Sequence, residues 1–318
     1  MISRIVKSRF ALLALPLLAL GTSLAQAQVT SQARERVQHV NQGVVGVMGA
    51  SRTGTGTRIA DELAHVLNDD INYSLRILPI VGRGSVRNIE DLLYLRGIDV
   101  TLVQSDVMDF FESQNNTTAT SKVVYITKMY EEEFHILAPA YIRSVDELQG
   151  KKVNFGLAPT GSFMTASIIF DKLGIAPEVG AEDHAIALGK MRRGEIDAVA
   201  YTGGSPVDIF QELGSEQGFH FLDVPIDRLT GTSYVSAQLT SDLYPNLIAP
   251  GSTIDTVATT AVMVAYDWPD DHPRHQRLEN FVTALKSKLN VFQTGEEYHK
   301  KWRTVDFNAE VPGWRRFN

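Results

Sequence analysis

The sequence predicts an α/β protein of two similar doubly wound lobes, and three observations carry that reading. Apolar runs rich in β-branched residues alternate with amphipathic patterns along the chain, which implies parallel sheets covered by helices. A strand, small-residue loop and helix occur twice, in "GVMGASRTGTGTRIADELAHVL" and "VNFGLAPTGSFMTASIIFDKLGI". A second echo follows each copy, "RGIDVTLVQSD" and "RGEIDAVAYTGG", in which an Ile-Asp opens a strand that delivers polar residues at its carboxyl end. Duplicated lobes explain the echoes economically. Any doubly wound sheet also repeats strand-loop-helix units, and that alternative stays open.

The elements follow in order. Strands are expected at Val44–Met48, Leu75–Pro79, Asp99–Val103, Val123–Ile126, Phe134–Leu137, Lys152–Leu157, Asp197–Tyr201 and Phe219–Val224. Helices are expected at Arg58–Leu67, Asn88–Leu95, Phe163–Leu173 and Ala185–Arg193, where apolar residues recur at three-and-four spacing. "FHILAP" at 134–139 and "TVATTAVMVA" at 256–265 are placed to carry the chain between the lobes and back. This gives a two-crossing hinge, with lobe 1 at 28–137 and 258–318 and lobe 2 at 138–257. The Pro-bearing "YDWPDDHPRH" precedes a last helix that begins near Gln276.

The N-terminus bounds the compartment. Arg4, Lys7 and Arg9 precede an apolar run from Phe10 to Leu20 and the small-residue site Ala25-Gln26-Ala27, so residues 1–27 read as a secretory signal peptide cleaved before Gln28. The run is about half the roughly 20 residues that cross a bilayer. The mature chain is therefore expected in the periplasm, without membrane insertion. Cleavage leaves 27 Lys+Arg against 37 Asp+Glu, a formal charge of −10, which argues against nucleic acid and anionic membranes as partners. The 318 residues contain no Cys, which excludes disulfides, thiolate metal sites and a Cys nucleophile.

Gly49 and Gly54 have the GxxxxG spacing of a phosphate loop, but Thr55 and Gly56 stand where a P-loop needs Lys and Ser/Thr. Gly54 and Gly56 also begin a dinucleotide fingerprint that fails at Ile59. A smaller anion is the better guest. Binding sites in such sheets lie at the carboxyl ends of strands, so Thr53–Thr57, Gln104–Asp106, Thr160–Ser162 and Tyr201–Gly204 are expected around one cleft.

Thr55, Gly56, Thr57, Thr160, Gly161 and Ser162 precede helices, where backbone N–H groups and hydroxyls meet a carboxylate or merely cap the helix. Ser85 and Asn88 occupy the second strand-to-helix turn as ligand contacts or as caps. Any one of Arg58, Arg83 and Arg87 can form the bidentate clamp that fixes a carboxylate, or each is a surface residue. Gln104 and Ser105 end a strand; Gln104 suits an amino or amide group, or holds the turn. Tyr201, with Gly203, walls the cleft or belongs to the core. No GxSxG elbow accompanies the serines. His272 and His275 with Asp270 and Asp271 read as a solvated loop rather than a metal site, and Glu131–Glu133 as a charged strand edge. No enzyme, cofactor or metal is expected.

Four segments resemble the TAXI family (TRAP-associated extracytoplasmic immunogenic proteins), solute-binding subunits of tripartite ATP-independent periplasmic (TRAP) transporters. They are "GSVRNIEDLLYLRGIDVTLVQSDV", "LQGKKVNFGLAPTGSFMTA", "RRGEIDAVAYTGGSP" and "DTVATTAVMVA". The resemblance implies a two-lobed type II periplasmic binding protein fold that closes by hinge motion. It also implies delivery of ligand to a sodium-coupled pair of small and large membrane subunits. Implied ligands are glutamate, glutamine and dicarboxylates such as 2-oxoglutarate. One departure stands out: the family runs Gly-Gly into Tyr-Tyr-Pro before the first helix, where this chain has Thr55-Gly56-Thr57-Arg58-Ile59. Loss of those aromatics points to a more acidic ligand, or one without an amino group. Rival readings are a periplasmic sensor subunit and an exported hydrolase or transferase.

Overall fold

The computed structural model describes all residues except 1–30, 38–40, 53, 69–74, 114–116, 159, 215–217 and 230–232. The expected signal peptide and Thr53 lie outside the described residues. Residues 31–37 form a short exposed helix that belongs to a separate N-terminal unit. Everything else of functional interest lies in the unit Val45–Asn318.

In that unit β1 (Val44–Met48), β2 (Arg76–Ile80) and β3 (Val100–Gln104) alternate with α1 (Thr55–Leu67) and α2 (Ser85–Tyr94), and β1 and β3 pair in parallel. The pleat sends alternate side chains to opposite faces, and the sequence fills both. Val45 and Val47 face a core shared with Ile59, Leu63 and the last helix, whereas Met48 faces one shared with Ile89 and Leu92.

After α3 (Asp106–Ser113) and α4 (Thr117–Lys122) comes β4 (Val123–Pro139), a strand of 17 residues. The second half then repeats the pattern with β5 (Lys152–Asn154), α5 (Gly161–Leu173), β6 (Glu178–Gly180), α6 (His184–Arg192) and β7 (Ala198–Gly203). Short α7 (Asp208–Gln211), β8 (Phe219–Phe221) and β9 (Val235–Thr240) lead to β10 (Thr253–Tyr266), and α8 (Pro273–Thr294) follows. The strand order β2-β1-β3-β10-β4-β7-β5-β6 forms one hydrogen-bonded path, with β8 on β4 and β9 on β10.

Two sequence expectations change here. Val123–Ile126 and Phe134–Leu137 are not separate strands but parts of β4, which runs on through Glu131–Glu133 without a break. The two sheets are therefore joined, because β4 and β10 pair antiparallel from Glu133–Ala258 to Val123–Tyr266. Glu131–Glu133 are not a solvent-facing sheet edge: all three pair with β10, and from Glu133 onward β4 also pairs with β7. Glu132 and Glu133 are buried, at 9% and 8% exposure.

The chain end is anchored on the first half. Trp302 is fully buried, stacks on Phe292 of α8 at 4.3 Å between ring centroids, and donates its indole N–H to Glu62 of α1 at 2.6 Å. Glu62 also accepts from the His299 backbone at 2.9 Å. Trp302→Ala is expected to cost about 3–5 kcal/mol, because it opens a cavity and removes one of the hydrogen bonds that Glu62 accepts. Urea unfolding measures it, and a loss below about 1 kcal/mol would contradict this anchoring role.

Candidate functional site

A cleft of about 610 Å³ opens at the carboxyl ends of β1, β3 and β7. Its wall takes Thr55 and Gly56 from the start of α1, Ser85 and Asn88 from α2, and Gln104 from the end of β3. Thr160, Gly161 and Ser162 at the start of α5, with Tyr201, Thr202 and Gly203 of β7, complete it. All four loops expected to converge contribute to this one space.

Three helix N-termini meet there, and they are not equally satisfied. Thr160 caps α5 by accepting from the Phe163 backbone at 3.3 Å. Neither α1 nor α2 has a side-chain cap, since Gly54 and Gly84 hold the cap positions. Gly84 has φ 105°, a conformation that a side chain would strain. Uncapped first-turn N–H groups carry the positive end of the helix dipole and favour an anion.

Several candidates are committed to holding the scaffold. Asn88 donates to the carbonyls of Gly49 and Leu102 at 2.7 and 3.2 Å and accepts from the Arg83 backbone at 3.1 Å. Ser162 bridges to Thr202, donating to its carbonyl at 3.1 Å and accepting from its N–H at 3.0 Å. Ser85 accepts from the Gln104 backbone at 3.0 Å and donates to Gln104 Oε1 at 3.2 Å. Thr55 donates to the Gly204 carbonyl at 3.2 Å and so links the two halves of the sheet across the cleft. Tyr201 packs edge-on against His184, 4.7 Å between ring centroids.

Three candidates do not line this cleft. Thr57 turns back to the carbonyls of Ala50 and Ser51 at 2.8 and 2.9 Å, which shapes the loop. Arg58 lies one residue further along α1 and points to Glu62 at 2.9 Å, beside the C-terminal segment. Ser105 pairs its hydroxyl with Thr259 of β10 at 3.2 Å. Of the other arginines, Arg83 and Arg87 do line the cleft, each ion-paired on α2, with Asp91 at 3.1 Å and with Glu90. Exposed Arg52 lines it too, a residue the sequence reading passed over. His272 and His275 serve the start of α8: His272 accepts from the Arg274 backbone at 3.1 Å and His275 bonds the Trp268 carbonyl at 3.1 Å.

Glu132 is the unforeseen member of the site. It lies in the cleft lining, and its carboxyl hydrogen-bonds the Gln104 side chain. Burial pushes its pKa from the ordinary 4.5 to about 8; the Gln104 bond opposes this, repulsion from Asp106 and Glu133 adds to it, and attraction to Lys301 opposes it. Lys301 is engaged by neighbouring Glu133. Thr202 Oγ1, at a residue only 6% exposed, has no hydrogen-bond partner among the described residues. The signal for Glu132 in the sequence was the run of three glutamates, which became informative once β4 proved to be interior.

The geometry defines a class: a mixed α/β protein with the fold of type II periplasmic binding proteins and a cleft between the carboxyl ends of its strands. The NMT1-like family model matches residues 47–275, and the chain belongs to that family. Among solved structures the chain is similar to Tv2483 bound to L-arginine, with a TM-score of 0.51, 11% identity, and coverage of 88% of this chain and 98% of that one. It is also similar to the arginine-, lysine-, histidine-binding protein ArtJ from Geobacillus stearothermophilus (TM-score 0.45, 13% identity, coverage 85% and 96%). The effector-binding domain of QuiR in complex with shikimate is similar too (TM-score 0.46, 11% identity, coverage 77% and 96%). At these identities the likeness is one of fold.

The buried carboxyl makes stability depend on pH. Between pH 4.5 and about 8 folded Glu132 keeps a proton that the unfolded chain has released, so its contribution to stability falls as pH rises through that window. Burial lowers His135 to about 3 and His299 to about 4 from 6.5; their contributions are complete above about pH 6.5 and lost as pH falls. Wild-type stability is therefore expected to decline between pH 6.5 and 8, by on the order of 1 kcal/mol, and Glu132→Gln to flatten the decline. Thermal unfolding across that range checks it; parallel pH curves for the two proteins would contradict it.

Proposed function

We propose that this chain is a solute-binding protein that captures a small carboxylate between two lobes, 28–137 with 258–318 and 138–257, and catalyses nothing. The single observation that carries the reading is the convergence of three helix N-termini on one cleft, two of them without side-chain caps. The guest anion would replace those caps, with the rim arginines adding positive potential. Long β4 and β10 supply the two crossings, and bending there would open and close the cleft.

In this reading the TAXI resemblance supplies the finer assignment. The ligand is glutamate, glutamine or a dicarboxylate such as 2-oxoglutarate, handed to the sodium-coupled membrane subunits of a TRAP transporter. The protein is exported and its signal is removed near Ala27. Among the described residues no helix is long and apolar enough to cross a membrane.

A thermal-shift panel of amino acids and four- to six-carbon dicarboxylates tests the ligand class. A true ligand at a hundredfold excess over its Kd stabilises by about 2.7 kcal/mol, several degrees in Tm. Stabilisation by sugars or metal cations alone would contradict the carboxylate assignment.

A further inference from the structure

The same cleft offers two opposite chemistries. Its rim presents the positive ends of helices, whereas its interior holds a carboxyl group, Glu132, with no basic residue paired to it among the described residues. We infer that Glu132 accepts the cationic amino group of the bound solute, which makes the cleft a site for zwitterions and selects α-amino acids over the corresponding 2-oxo acids. The inference rests on the carboxylate reading above and names the second half of its ligand. It also reverses the sequence expectation of a guest without an amino group, since that expectation weighed only the first loop.

The surroundings of Glu132 support the assignment. Gln104 bonds the carboxyl and is itself fixed by Ser85, so the group is oriented before ligand arrives. Gly161 at the start of α5 packs so closely on Gln104 that a Cβ there would overlap its Oε1, which ties the orientation of Gln104 to both halves of the sheet. Thr202, with its unpartnered hydroxyl, offers a neutral acceptor for a further ammonium N–H in the same lining.

The charges around the carboxyl set the proton balance. Asp106 from α3 and Glu133 from its own strand repel a negative charge on it, and Lys301 from the C-terminal 3-10 turn weakly favours one. Across the cleft stand His184 of α6 and the capping Asp183, with Arg52, Arg83 and Arg87 at the rim. Burial lowers the His184 pKa below its ordinary 6.5, so its ring is neutral near pH 7. In the ligand-free protein Glu132 is therefore protonated at neutral pH. An arriving ammonium stabilises the carboxylate, the O–H bond breaks, and the proton leaves to solvent while the ammonium keeps all three of its own.

Isothermal titration of the mature chain with L-glutamate, L-glutamine and 2-oxoglutarate, in buffers of different ionisation enthalpy, reads this directly. At pH 7 the amino acids are expected to release close to one proton each and 2-oxoglutarate none. Amino-acid affinity should rise roughly tenfold per pH unit below pH 8 and level off above it. Glu132→Gln, checked for folding by circular dichroism, should lose at least tenfold in amino-acid affinity together with that pH dependence, and keep 2-oxoglutarate binding. Equal binding of amino and oxo acids without proton release overturns this role for Glu132 while leaving the carboxylate site intact. Failure of every carboxylate to bind overturns the proposed function, and this inference with it.

Discussion

The antiparallel pairing of β4 with β10 is the constraint on which the rest of the molecule depends. These two strands lie at the middle of the strand order and bond to each other along most of their length, from Glu133 and Ala258 to Val123 and Tyr266. On one side β10 pairs with β3, and on the other β4 pairs with β7. Gln104 at the end of β3 and Tyr201–Gly203 at the end of β7 are thereby brought to opposite walls of one cleft. The strand edges that would otherwise be open backbone are covered, and the interior between them is left for side chains.

That arrangement explains why a buried acid is tolerated. Three consecutive glutamates on a central strand would ordinarily be costly, since an isolated buried carboxylate loses its hydration. Here each has a different remedy. Glu131 accepts from Thr260 and pairs with Lys128, Glu133 takes Lys301 and the Ser205 backbone, and Glu132 keeps its proton and the Gln104 bond. Only the last remedy leaves a group whose charge a small molecule in the cleft can change.

Much of this was legible in the sequence. Strand and helix periodicity placed α1, α2, α5 and α6 to within a few residues, and the paired echoes located four of the segments that wall the cleft. What the sequence hid was mostly a matter of direction and depth. Arg58 and Thr57 sit next to cleft residues in the chain, but on a helix adjacent positions diverge by about 100°, and both turn away. Ser85, Asn88 and Ser162 have the residue types of ligand contacts, yet neighbouring backbone groups occupy their hydrogen bonds. Glu132 was misread because an acidic run has no periodicity of its own. Its burial follows from the pairing of β4 with strands more than 60 residues away, which no local pattern reports.

Native mass spectrometry of the freshly purified protein tests the account at its centre, because a solute held tightly in the cleft would survive gentle purification. The expected result is one small carboxylate bound per chain, lost on denaturation and identified in the released fraction. Release of a nucleotide, a sugar or a metal ion in equal stoichiometry would contradict it.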